Sequence, residues 1–285
     1  MLRALLRALL RALALALALA VLLNASATQA QGKYPDWKGQ WLRTGRGNGN
    51  AWDPTKPLGL GEGAPLTAEY QAIYEAALKD EHDGGQGIDP TYLCVPSGLP
   101  RSMIAVLPME IIVTPQTTYI ALELFSTQRR IYTDGRDFPA KIQPSFGGYS
   151  VGHWEDTTGQ GRYDTLVAET RGVKGPHTYD SSGVPFHKDN QAIFKERIFL
   201  DRENPNILHN QVTTFDHALT RPWTVTRSYR RIATDRPVWT ETYCTEDNHH
   251  VLIGDHNYVI SGDGYLMPAR KGEPPPDLRN FTIGK

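Results

Sequence analysis

With 285 residues, the chain can form one large β domain or two small ones around a sizeable core. Its 30 Lys plus Arg against 31 Asp plus Glu give a net charge of −1, and no basic run exceeds a pair. Nucleic-acid recognition and a disordered acidic tail therefore lack electrostatic support.

Residues 1–30 read as an export signal. Arg3, Arg7 and Arg11 form a basic front, and residues 12–23 an apolar stretch. Ala25-Ser26-Ala27 and Thr28-Gln29-Ala30 offer small-residue cleavage sites. The alternative is an uncleaved anchor, although the apolar run is shorter than a spanning helix requires. Cleavage leaves 27 basic residues against 31 acidic ones and implies a periplasmic or secreted protein, free of the membrane.

In Tyr34-Pro-Asp-Trp-Lys-Gly-Gln-Trp41, the Gly39-x-Trp41 tripeptide resembles the opening of the first strand in lipocalin-like barrels. Residues 45–65, rich in Gly, Asn and Pro, read as loop. A helix follows. Thr67 can cap it, Tyr70, Ile73, Tyr74, Ala77 and Leu78 share one face, and Gly84-Gly85 ends it. That aromatic stripe reads as a packing face that plugs a barrel end. Cys94 and Cys244 lie 150 positions apart, and an oxidising compartment favours a disulfide between them over two buried thiols.

From Met103 onward the pattern is β. Residues 109–113 and 118–125 flank Pro115-Gln116-Thr117 as a hairpin. Further strands are expected at 129–133, 165–170, 195–200, 207–215, 223–229 and 238–243, with turns at Asp134-Gly135 and Asn204-Pro205-Asn206. The expected fold is mainly β: an antiparallel lipocalin-like barrel, with a sandwich as the alternative, and one N-terminal amphipathic helix. Neighbouring strands favour a meander. Residues 31–266 read as a single domain and 267–285 as a tail.

Side chains alternate across a strand, so parity sorts the candidate chemistry. Glu123 shares parity with Tyr119, Ala121 and Phe125. Facing inward, it would be a carboxylate in an aromatic setting, either a general acid or base or a partner of Arg129 or Arg130. Arg130 and Tyr132 share a parity, as do Thr165, Val167 and Glu169. A buried Arg130 would need a carboxylate or an anionic ligand. His153-Trp154 sits in a glycine-flanked segment, where a hydrogen-bonded structural histidine is the simpler reading. His177 and His187 lie in the loop before Gln191, and loop histidines can exchange protons near neutral pH. His209 shares parity with Gln211, Thr213 and Phe215, so it can line the same interior. His249, His250 and His256 with Asp247 and Asp255 fit no standard zinc spacing, and no metal or cofactor is expected. There is no G-x-S-x-G nucleophile motif.

The combination PMEIIVTP, ELF…RRIYTDGR, SVGHW, DTLVAET, His187 with Glu196-Arg197, TFDHALTRPW and ETYCTEDN is similar to a widespread group of exported bacterial proteins. The resemblance covers residues 90–250. The chain departs from that group by inserting DTTGQGRY after Glu155 and by carrying His217 where the group has proline. The group has no settled activity, so the resemblance implies shared architecture and a shared polar cluster, but no reaction.

The residues lead to an expected cofactor-independent enzyme of lyase or isomerase type, acting on a small aromatic or hydroxylated molecule. Glu123 and His187 would exchange protons, while Tyr132 and Arg130 steady an oxyanion. Arg130, His153, Trp154, Glu169 and His209 would contact the substrate. The alternative is a periplasmic binding protein that holds a hydrophobic or aromatic ligand unchanged. A third reading makes the charges ion pairs between strands.

Overall fold

The computed structural model describes residues 32–44, 63–83, 85–104, 107–244, 250–254, 256–261, 263–269 and 272–277. The signal segment, Gly84, Asp247, His249, Asp255 and the end of the tail lie outside the described residues. Nine strands close into a barrel in chain order: β1 (Gln40–Arg43), β2 (Met109–Val113), β3 (Thr117–Leu122), β4 (Thr127–Tyr132), β5 (Tyr149–Glu155), β6 (Thr165–Arg171), β7 (Ile193–Leu200), β8 (Ile207–Phe215) and β9 (Trp223–Arg231). β1 pairs with both β2 and β9, which seals the seam. The fold is lipocalin-like, and the sandwich alternative falls. β10 (His250–Ile253), β11 (His256–Ile260) and β12 (Leu266–Pro268) form a separate three-stranded sheet. β12 therefore crosses the expected start of the tail.

Burial follows the two-residue period of a strand with one face inward. Along β8, Leu208, Asn210, Val212 and Thr214 are buried while the residues between them are less so. Trp41, Ile120, Ile131, Leu166, Phe194 and Ile198 are fully buried in the core. Each such side chain contributes roughly 1.5–3 kcal/mol. Among them sits an ion pair. Arg129 donates through Nη1 to Glu196 Oε1 at 2.9 Å and through Nη2 to Glu196 Oε2, and Nη2 also reaches Thr170 Oγ1 at 3.2 Å. Asn210 Nδ2 donates to Glu196 Oε1 at 2.9 Å.

Three details correct the expected strand map. β4 and β5 run parallel, with Ile131 opposite Ser150, so the chain is not a simple meander. A parallel neighbour needs a long crossover. Residues 133–148 supply it, and their Arg136 and Phe138 face the outer wall at Val151, Val167 and Glu169. The strand expected at 118–125 stops at Leu122, because Phe125 and Ser126 take left-handed φ values of 58° and 45° to turn the chain. Residues 238–243 form no named strand. Thr242 makes one bridge to Leu124, and Val238 O accepts from Gln40 Nε2 at 2.7 Å.

Strand directions place the β3–β4 turn, the β6–β7 loop and the β8–β9 loop at one end of the barrel. Helix α1 (Ala68–His82) covers that end. Thr67 caps it as expected, its hydroxyl accepting from Tyr70 N at 3.4 Å. Tyr74 buries against Tyr179, Val184, Trp223 and Val225 in a second core. Backbone bonds from Thr67 N to Ala218 O and from Thr220 N to Pro65 O, both 2.8 Å, fasten the approach to the helix to the β8–β9 loop. The opposite end is closed by an aromatic group in which Trp154 lies 4.9 Å from Trp37 and 5.3 Å from Tyr34. A disulfide joins Cys94 to Cys244. Among the described residues no helix is long and apolar enough to cross a membrane. The disulfide is compatible with an extracellular location.

Candidate functional site

The β6–β7 loop is built to hold a fixed shape over the barrel mouth. Thr178 bridges Pro185, and Tyr179 N donates to Val184 O at 2.8 Å. Asp180 Oδ1 accepts from Ser182 N and Oγ, which makes an Asx turn. Two bonds tie this loop to α1: Tyr74 Oη with Ser182 Oγ at 3.0 Å, and Lys188 N to Tyr70 Oη at 3.3 Å. Between loop and helix lies a cleft of about 460 Å³, lined by Tyr70, Ile73, Ile88, His177, Phe186 and His187 among others. This is the size of a small-molecule site.

His177 is its most unusual group. It is 8% exposed and stacks on Phe186 at 4.5 Å between ring centroids. Neither ring nitrogen has a hydrogen-bond partner among the described residues. Burial depresses its pKa to about 4, so the ring is neutral at neutral pH.

His187, half-buried, places its ring 5.3 Å from that of Tyr70. Its backbone N–H donates to Asp216 Oδ1 at 2.9 Å, and Ala218 N donates to the same oxygen at 2.8 Å. Asp216 thereby locks the β6–β7 loop to the β8–β9 loop and brings His217 alongside. His187 Nδ1 lies 3.0 Å from Asp189 Oδ2, and His217 Nδ1 lies 2.6 Å from that same oxygen. Burial pulls the Asp189 carboxyl upward, but bonds from His217, the Gln191 amide and His187 outweigh it and hold the pKa at about 2.

The other expected site residues do not join this cleft. Glu123 is buried in the β3–β4 turn, where Thr240 donates to Oε1 through N at 3.1 Å and through its hydroxyl. It pins the 238–243 segment to the barrel. Arg130 is exposed on the outer wall; its neighbour Arg129 is the inward guanidinium. Tyr132 is also on the outer face, 5.2 Å from Tyr149, with the Arg136 guanidinium 4.0 Å above its ring. His153 and Glu169 line a different groove of about 450 Å³, between the crossover and the outer wall. There His153 lies 3.3 Å from Glu155, while Glu169 is bonded to Arg171 and 3.6 Å from Lys195. Trp154 belongs to the aromatic closure at the far end. His209 is committed on both nitrogens, to Ser228 Oγ at 2.9 Å and Asp201 Oδ2 at 3.0 Å. The expected convergence of Glu123, Arg130 and His187 does not occur.

Of the histidines set aside for a metal, His250 bonds Gln86 and His256 lies 3.2 Å from Glu273. Sequence reasoning gave no site role to Arg129, which it named only as a possible ion-pair partner, nor to Glu196 and His217, and it did not single out Asp189. A signal existed for the first two, since each is flanked two residues away by apolar inward positions: Ile131 beside Arg129, and Phe194 and Ile198 beside Glu196. No family model matches the chain, and a search of curated proteins finds no match.

Proposed function

We propose that the cleft between α1 and the β6–β7 loop carries proton transfer on a small molecule, in a lyase or isomerase reaction of an exported, periplasmic or secreted enzyme. The observation that carries this reading is His177: a buried imidazole on the cleft wall with both ring nitrogens unpartnered among the described residues. An imidazole kept neutral can accept a proton on one nitrogen and give one from the other. It then returns to neutrality as the opposite tautomer, so burial does not oppose the completed step. This suits the movement of a proton between two atoms of one substrate. Tyr70 and Phe186 supply aromatic walls for a ring, and His187 adds a polar group.

The test is turnover of mature protein across small hydroxylated and aromatic candidates, beside His177→Gln. Loss of about 10²–10⁴-fold in kcat with retained thermal stability supports the reading. Full turnover in the variant removes it.

A second reading, ligand binding without chemistry, is favoured by the partly exposed Ile73 and Ile88, each 40% exposed at this cleft. It predicts a bound molecule that is released unchanged in native mass spectrometry.

A further inference from the structure

At the edge of the same cleft, we propose that His187, Asp189 and His217 form a binding site for a divalent transition-metal ion, of which zinc is the type. Its ligand atoms are His187 Nδ1, Asp189 Oδ2 and a ring nitrogen of His217. These three groups come from two loops and present atoms that all lie within 4.8 Å of one another. Two imidazoles and a carboxylate match the borderline-soft donor preference of zinc and its neighbours.

The hydrogen-bond pattern points the same way. Asp189 Oδ2 faces two imidazole nitrogens at once, at 3.0 and 2.6 Å. In the tautomer that carries its proton on Nε2, His187 Nδ1 accepts from Asp189 N–H at 3.2 Å and turns a lone pair toward that oxygen. An acceptor nitrogen opposite an anionic oxygen places two lone pairs face to face, an arrangement a cation stabilises. Ligands bound at 2.0–2.1 Å around tetrahedral zinc lie roughly 3.3 Å apart, so Asp189 Oδ2 has to move about 0.3 Å from His187 Nδ1 and about 0.7 Å from His217 Nδ1. Two of the three ligands are accessible: the His217 side chain is 69% exposed and that of Asp189 30% exposed.

The frame around the ligands is already fixed. Asp216 Oδ1 accepts from the His187 backbone across the two loops and from the Ala218 amide within its own loop, so the loops cannot drift apart without breaking the first bond. Gln191 N–H donates to Asp189 Oδ1 at 3.0 Å, which orients Oδ2 toward the imidazoles. Three protein ligands leave at least one coordination position open, the arrangement of catalytic rather than structural sites. Because His187 also lines the cleft, that position can accept an oxygen of water or of a small molecule held there. The consequence for turnover rests on the cleft being the reaction site; metal binding itself does not.

The experiment is a titration of chelator-treated full chain with Zn²⁺ against a chromophoric competitor. Wild type is compared with His217→Ala, Asp189→Asn and the distant control His153→Ala, and folding is checked by circular dichroism. One tight zinc is expected in wild type and in the control, with affinity at least about tenfold weaker in the other two variants. Co²⁺ added to wild type should give the visible absorption of a low-symmetry, four- or five-coordinate site, and His217→Ala should lose it. Equal zinc affinity in all four proteins would overturn the proposal, as would the absence of tight zinc in wild type. His217 is exposed, so its variant reports even if Asp189→Asn fails to fold. Zinc bound as expected with turnover indifferent to His177→Gln would discard the proton-transfer reading and keep the metal site. Unchanged zinc affinity with turnover lost in His177→Gln would do the reverse.

Discussion

The barrel interior and the cleft beneath α1 both bury polar side chains, and they treat them in opposite ways. Inside the barrel, Arg129 meets Glu196 through two bonds, Thr170 takes a third, and Asn210 supports the carboxylate from the other side. The Arg129 charge there has its opposite in Glu196. In the cleft, His177 is buried without a partner for either nitrogen, and one oxygen of Asp189 is shared between two imidazoles. Closed polarity of the first kind holds strands in register. Polarity left open, of the second kind, costs stability unless a ligand or a reaction uses it.

The most severe way to break the contrast is to open the closed site. Arg129→Met leaves Glu196 buried and unpaired, and urea denaturation should show a loss of about 3–5 kcal/mol. The next test closes the open site. His177 titrates near 4 when folded and near 6.5 when unfolded, so the unfolded chain binds more protons between those values. Stability contributed by the neutral ring is complete above pH 6.5 and is lost as pH falls through 4, by about 3 kcal/mol in total. The difference between wild type and His177→Phe in denaturant melts from pH 7 to 4 should reproduce that slope. Glu123→Ala removes a buried acceptor from Thr240 and should cost about 2 kcal/mol while leaving turnover unchanged. Arg130→Met, on the outer wall, should change stability by no more than about 0.5 kcal/mol. A large effect from Arg130 together with a small one from Arg129 would invert the assignment of inner and outer faces.

Much of the scaffold was legible in the chain. The Thr67 cap, the strands at 109–113 and 207–215, the Gly39-x-Trp41 opening and the cysteine pair all reappear, because each rests on local pattern or compartment. The site was less so. Parity separated Arg129 from Arg130 but did not say which face was inside, and the inward face is identified only by the apolar company of Ile131, Phe194 and Ile198. The meander expected from neighbouring strands fails where β4 and β5 run parallel, and β5 was not among the expected strands. His187 and His217 come together through Asp216, a bond between two loops that no short-range spacing encodes. Burial of His177 likewise depends on Phe186 and on the helix laid across the loop.

One consequence follows from the seam between β1 and β9. Arg231 donates to Lys38 O, 193 positions away, beside the pairing of Trp41 with Arg231. The enclosure is thus completed by the first and last staves together, and the loop-closure entropy of nearly the whole domain falls on one late event. A chain that emerges amino-terminus first must keep Trp41 exposed until residues 223–231 follow. Refolding after dilution from denaturant should accordingly be slow and prone to aggregation, and severing the terminal stave should dissolve the vessel rather than leave eight strands standing.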